Sequence, residues 1–226
     1  MFGFTGGMSE NAQRRTATGG RGAYAKGVAK REEILTRALQ VIAREGYRGA
    51  SVKEIAEAVG LSQAGLLHYF DSKEHLFTEI LRKRDDVDAG GLDVRDGVDY
   101  DAFTRGYLGI IRHNSEVPGL VQLFSRLAVD AADPEHPAHD YFSRRGQQLR
   151  STLGAAVRAE QDAGRISDRV DADTVARMFQ ALADGMQLQW MLEPEVDMTG
   201  AVSALFELLG PGSSPHGAHR SAATDA

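Results

Sequence analysis

Ser62, Gln63, Ala64 and Gly65 are consecutive, small or polar, and follow a glycine at position 60. A helix needs such residues on its outward face if its backbone is to come close to the base edges of a DNA major groove. Gly65 is the most informative of the four. Glycine inside a helix costs about 1 kcal/mol relative to alanine, so a purely structural helix would gain by losing it. Close approach to DNA accounts for it; so does relief of crowding against the first helix. The chemistry of enzymes has no comparable foothold. There is no G-x-S-x-G, no H-E-x-x-H, no Walker loop and no dinucleotide fingerprint,. With no Cys, disulfides, thiol nucleophiles and Cys-ligated zinc are impossible,. The chain reads as a non-enzyme that needs no cofactor.

The elements that must position the quartet are helices. Ile34, Leu35, Ala38, Leu39 and Ile42 recur at helical spacing, which predicts a first helix from about Val28 to Glu45, ended by Gly46,. Ser51 with Glu54 three residues on is a capping-box pattern and opens a second helix, whose stripe is Val52, Ile55, Ala56 and Val59,. Gly60 supplies the turn, since a positive φ is cheap for glycine. Ser62 caps the third helix, which carries Leu66, Leu67 and Phe70. Ser72 caps a fourth, with Leu76, Phe77, Ile80 and Leu81 on its inner face,. Helix, tight turn and a second helix packed across the first make a helix-turn-helix.

Charge is divided along the chain. The total is −6, but residues 1–84 carry a net +5 and residues 85–226 a net −11. A basic front on an acidic body fits a small nucleic-acid module attached to a larger domain. Residues 1–26 lack periodicity and read as a disordered basic arm, with Arg14, Arg15, Arg21 and Lys26,. Asp85 to Asp101 holds seven Asp and a Gly pair and reads as a solvated connection; its spacing does not fit a calcium loop,. Helical patterns resume at Phe103–Ile111, from Pro118, from Ala138 to about Gly164, from Asp171 to about Leu192, and from Thr199 to Leu209. His136 and His139, separated by Pro137, read as loop residues and not as metal ligands. Residues 211–226 read as a disordered tail,. No strand pattern of useful length and no apolar run of about 20 residues occurs, so the expectation is an all-α, cytoplasmic protein without a membrane span.

The segment GYRGASVKEIAEAVGLSQAGLLHYFDSKEHLFTEIL resembles the DNA-binding domain of the TetR family of bacterial transcriptional repressors, over roughly residues 28–84. The resemblance implies a nine- or ten-helix homodimer: a helix-turn-helix domain over 27–84, and a helical ligand-binding and dimerisation domain over 85–210. It implies that Ser51 bonds a phosphate through hydroxyl and N–H, that Gln63 reads base edges beside Ser62, Ala64 and Gly65, that His68 and Tyr69 touch the DNA backbone, and that Lys73 neutralises a phosphate. Many members have Tyr where this chain has Leu67, so His68 or Tyr69 is expected to take over that phosphate contact. An effector pocket is expected from Phe103, Tyr107, Phe124, Tyr141, Arg145, Gln148, Met178, Phe179, Asp184 and Gln187, because pockets combine apolar walls with a few oriented polar groups. Arg145 with Arg144 suits an anionic ligand, or else pairs with Asp140. The apolar stretch 174–192, with small Ala181, Ala183 and Gly185, and the stretch 201–209 are expected to form a four-helix dimer seam. The function implied is a repressor released from a palindromic operator by a small molecule. The competing readings are a protein–protein adaptor with a degenerate helix-turn-helix and a small helical enzyme.

Overall fold

The computed structural model describes residues 10–89 and 100–209, the side chains of 10–23, 47, 48 and 89 excepted. Among these residues are α1 (Glu10–Gly49), α2 (Val52–Ala58), α3 (Gln63–Leu67), α4 (Lys73–Ala89), α5 (Tyr100–Glu116), α6 (Pro118–Asp130), α7 (His139–Asp162), α8 (Ala172–Leu192) and α9 (Met198–Leu209), and no strand. The chain divides into two units, Met1–Lys83 and Arg84–Ala226.

In the first unit the helices start and stop where side chains can satisfy their ends. Ser51 accepts from the Glu54 N–H while the Glu54 carboxylate takes the Ser51 N–H, closing the capping box of α2,. Ser62 Oγ accepts from the Gly65 N–H at 3.0 Å and Ser72 Oγ from the His75 N–H at 3.0 Å. The α2–α3 turn rests on Gly60 at φ 68°, and the helical path of α1 is interrupted at Gly46, φ 73°,. Ile34, Ala38, Ile42, Ile55, Leu66, Leu76, Ile80 and Leu81 are all buried, and they form the hydrophobic interior on which the short α3 rests.

Two expectations are corrected. Residues 10–26, read as an irregular arm, continue α1, since adding a residue to an existing helix costs far less than nucleating one,. Asp85, Asp86 and Asp88, read as part of a solvated connection, lie in the last turns of α4. Residues 90–99 of that connection, the tail 211–226 and the start of the arm, 1–9, lie outside the described residues.

The second unit packs α5, α7, α8 and α9 around Phe103, Tyr107, Leu153, Val157, Phe179 and Phe206. Phe179 and Phe206 stand 4.1 Å apart and Phe103 stacks on Tyr107 at 5.6 Å. α7 and α8 approach closely because glycine faces the neighbour. A Cβ at Gly154 would lie 3.0 Å from Asp173, and one at Gly146 would lie 3.1 Å from Gln180. No helix among the described residues is long and apolar enough to cross a membrane. Leu153 is fully buried at the centre of this packing. Leu153→Ala should lower the unfolding free energy by about 2–5 kcal/mol, measured as a reduced urea midpoint at unchanged helical circular dichroism.

Candidate functional site

α3 has two faces. Leu66 is buried, as is Phe70 just beyond the helix, whereas Ser62, Gln63, Ala64 and His68 are exposed and Gly65 is half-exposed. A Cβ on Gly65 would meet Ser62 Oγ at 3.2 Å and Leu61 at 3.9 Å, and nothing from α1. Crowding against the first helix therefore does not explain this glycine. The outward surface of α3 at its N-terminal end is nearly bare backbone with one long polar side chain, Gln63.

The flanking residues divide by what already holds them. His68 is exposed and its ring meets that of Tyr69 edge-on at 6.1 Å. Tyr69 is half-buried. Lys73 is exposed, with its ammonium 5.5 Å from the centre of the Phe77 ring,. Leu67 is 37% exposed and offers no hydrogen bond, whereas His68, Tyr69 and Lys73 nearby carry polar groups. Ser51 is exposed, but its donors are occupied: N–H and hydroxyl both turn to the Glu54 carboxylate. A phosphate could take them only by displacing that carboxylate.

The expected pocket residues separate into groups within the second unit. Phe103, Tyr107 and Phe179 belong to the hydrophobic core described above. Phe124, Tyr141 and Arg145 surround Asp85, a residue that sequence reading placed in solvent. Asp85 accepts from the Tyr141 hydroxyl at 2.5 Å, from Arg145 Nε at 2.9 Å and from Arg84 Nη2 at 2.8 Å. Both guanidinium groups lie over the Phe124 ring, at 4.9 Å for Arg145 and 5.1 Å for Arg84. The charge of Arg145 is thus already matched, while Arg144 pairs with Asp140 on the surface at 3.3 Å. Arg84 Nε is buried without a hydrogen bond, with Asp88 3.8 Å away. Gln187 is buried and Asp184 half-buried. Gln148 and Met178 are corrections, since both are exposed. The inward stripe of α7 runs through Gly146, Leu149, Leu153 and Val157 and leaves Gln148 beside it, and Met178 faces outward from α8. Among the described residues no group of three or more His, Asp or Glu could hold a metal ion.

Asp85, Asp88 and Asp184 are half-buried carboxylates of the second unit that respond differently to their surroundings. Burial pushes the Asp85 carboxyl up, but Arg145, Arg84 and the Tyr141 hydroxyl together hold it below the usual range,. Burial dominates at Asp88 and at Asp184, and both are raised, although Arg84 opposes the shift at the first and Arg145 at the second.

Comparison with known proteins places this geometry. Residues 34–80 match the model for "Bacterial regulatory proteins, tetR family", and residues 126–209 that for "BetI-type transcriptional repressor, C-terminal". The chain is 33% identical over 106 residues to the HTH-type transcriptional repressor KstR2 of Rhodococcus jostii, a match covering 41% of this chain and 52% of that protein, about half its length. It is 25% identical over 164 residues to the repressor AcnR of Corynebacterium jeikeium, covering 70% and 79%. Among solved structures, a TetR-family regulator from Agrobacterium tumefaciens aligns at a TM-score of 0.63 and 23% identity, covering 81% of this chain and 99% of that one. NalD, the secondary repressor of a multidrug efflux pump in Pseudomonas aeruginosa, aligns at 0.58 and 15%, covering 82% and 99%. At these identities the two structures speak for the fold alone.

The raised carboxyl of Asp184 has a defined consequence. Its folded form holds a proton more tightly than the unfolded chain does, so stability is full below the unfolded value, about 3.9, and falls as pH rises through the folded one,. Asp184→Asn should therefore raise the melting temperature by a few degrees at pH 8 and leave it unchanged near pH 4, read by thermal melts at both. Asp85 has the opposite sign: its contribution is present above about pH 3.9 and is lost as pH falls through its lowered value,.

Proposed function

The chain belongs to the TetR family of bacterial regulatory proteins, and from that premise we propose that it is a cytoplasmic, dimeric repressor that a small molecule releases from a palindromic operator. The observation that carries this reading is the outward face of α3, exposed, short-chained and bearing Gln63. The amide of Gln63 is matched to N6 and N7 of adenine. Lys73, His68 and Tyr69 beside it supply phosphate contacts, which fix the register of the helix without reading sequence. Ser51 joins them only if Glu54 swings away.

The dimer reading rests on α8 and α9. Met178, Ala181, Gly185, Leu188 and Leu192 follow one another at spacings of three and four, the pattern of a helix–helix seam,. Met178 is 50%, Leu188 51%, Leu192 83% and, on α9, Leu208 66% exposed. A Cβ at Gly185 would meet nothing within 4 Å in its own chain. Glycine there costs about 1 kcal/mol of helix stability and gains nothing within one protomer, which supports close approach by a second copy. Two reading heads suit a palindromic site, whose half-sites lie about 34–36 Å apart.

The effector reading rests on the polar cluster around Asp85. A bound molecule shifts a balance only through different affinities for two conformations. Asp85 sits near the end of α4, whose first residue is Lys73, and a ligand that competes for Arg145 or Tyr141 would loosen that end.

Three outcomes follow. Affinity for a duplex selected by the protein should fall steeply with salt, with a logarithmic slope of about −0.9 per neutralised phosphate; a flat dependence removes DNA as the partner. In binding titrations across sequence variants, Gln63→Ala should change sequence preference, costing about 1–3 kcal/mol on the preferred site, whereas Lys73→Ala should weaken all sequences alike. Leu188→Glu should yield a folded monomer in sedimentation, with operator affinity lost.

A further inference from the structure

Two consecutive cations on α1 reach the C-terminal ends of both helices of the motif. Lys30 Nζ donates to the carbonyl of Val59, the C-cap of α2, at 3.3 Å and also pairs with Glu33 at 3.0 Å. Arg31 Nη1 donates to the carbonyl of Tyr69 at 2.5 Å, one residue past the C-cap of α3, His68. Its Nη2 bonds Glu79 of α4 at 3.0 Å, and its guanidinium plane lies 4.4 Å from the centre of the Phe70 ring. The next residue, Glu32, takes Lys83 of α4 at 2.8 Å. Lys30, Arg31 and Glu32 thus each tie α1 to another element of the first unit.

The positions held are the ones that matter for reading DNA. α3 has five residues, too few to persist on its own hydrogen bonds. Ser62 anchors its N-terminal end, and Leu66 anchors its middle. Its C-terminal end carries the partial negative charge of helix carbonyls, and Arg31 meets the chain there. The side chain of Arg31 is 31% exposed and that of Glu79 19%, and both terminal nitrogens of the guanidinium are bonded to protein. Burial pushes the Glu79 carboxyl up, but Arg31 and Arg82 outweigh it and hold the carboxylate charged. Serving a carbonyl, a carboxylate and a ring face at once needs the planar fork of arginine; an ammonium cannot do all three.

We infer that Arg31 is a positioning residue for operator reading: it fixes the C-terminal end of α3 so that Gln63 meets a base edge in one orientation. Lys30 does the same for α2, and the pair sets how the two helices cross. This rests on the DNA-reading function proposed above. In that role Arg31 acts on specificity and not on electrostatic attraction, because it holds the chain just past the C-cap of the reading helix and spends both terminal nitrogens on protein partners.

The test is Arg31→Lys in the full-length protein, which keeps the charge and loses the fork. The probes are a duplex selected by the wild-type protein from a random pool, and poly(dI-dC) as the sequence-neutral competitor. The expected result is about tenfold weaker binding to the selected duplex, the order of one lost base contact. Affinity for poly(dI-dC) and the salt slope should stay unchanged, and the amide resonances of Ala64 and Gly65 should shift. Glu79→Gln, which removes the second partner of the fork, should move the same ratio in the same direction by about threefold, and it serves as the test should Arg31→Lys fail to fold. Equal losses on both DNAs would make Arg31 a phosphate contact or a general stabiliser, and an unchanged affinity for the selected duplex would make it a surface ion pair; either overturns the inference. A wild-type protein that enriches no sequence defeats the proposed function itself, before any variant is made.

Discussion

Base edges lie at the floor of a major groove about 8.5 Å deep, and a helix reads them only if its own backbone can descend to them. That constraint organises the first unit of this protein. The outward face of α3 is stripped to Ser62, Ala64 and Gly65 around one amide. A helix so stripped and so short has little to hold it in place. Its stability must come from the other side, from Leu66 and Phe70 in the hydrophobic interior, and from its ends, where Ser62 satisfies an N–H and Arg31 a nearby carbonyl.

The proposed function makes a different demand of the second unit, that of a state that can change. Its apolar interior is continuous through Phe103, Phe179 and Phe206, and the polar cluster beside Phe124 gathers two arginines, an Asp and a Tyr hydroxyl. A partly buried charge pair of this kind adds little net stability over an apolar replacement, yet losing one partner is costly,. Such an arrangement resists partial disruption, and it is where the proposed effector would find a lever. The outward stripe of α8, from Met178 to Leu192, leaves apolar surface exposed, as the proposed dimer would require.

Much of this was legible in the sequence where the signal is local. Ser51 with Glu54, Ser62 and Ser72 announce helix starts through hydrogen bonds closed within four residues, and the structure has them all. Gly60 announces the turn for the same reason. The motif of α2 and α3 follows from those local rules; the family rests on the resemblance of the whole segment and on the matched family models. What was not legible is contact between distant residues. Lys30–Arg31–Glu32–Glu33 has the composition of a solvated charge run, yet Arg31 bonds residues 38 and 48 positions away. Asp85 opens a stretch rich in Asp and Gly, yet its partners lie 56 and 60 positions on. Gln148 and Met178 were misplaced by a smaller error, since helical periodicity fixes which residues share a face but not which face a neighbour covers.

Probing guanine N7 accessibility with dimethyl sulphate, on a duplex the protein itself has selected, tests the central claim most directly. N7 lies in the major groove, so a helix that descends there twice should protect two short stretches, centred about one helical turn apart. Phosphate protection with N7 left fully reactive would mean that α3 never enters the groove, and the account would be contradicted.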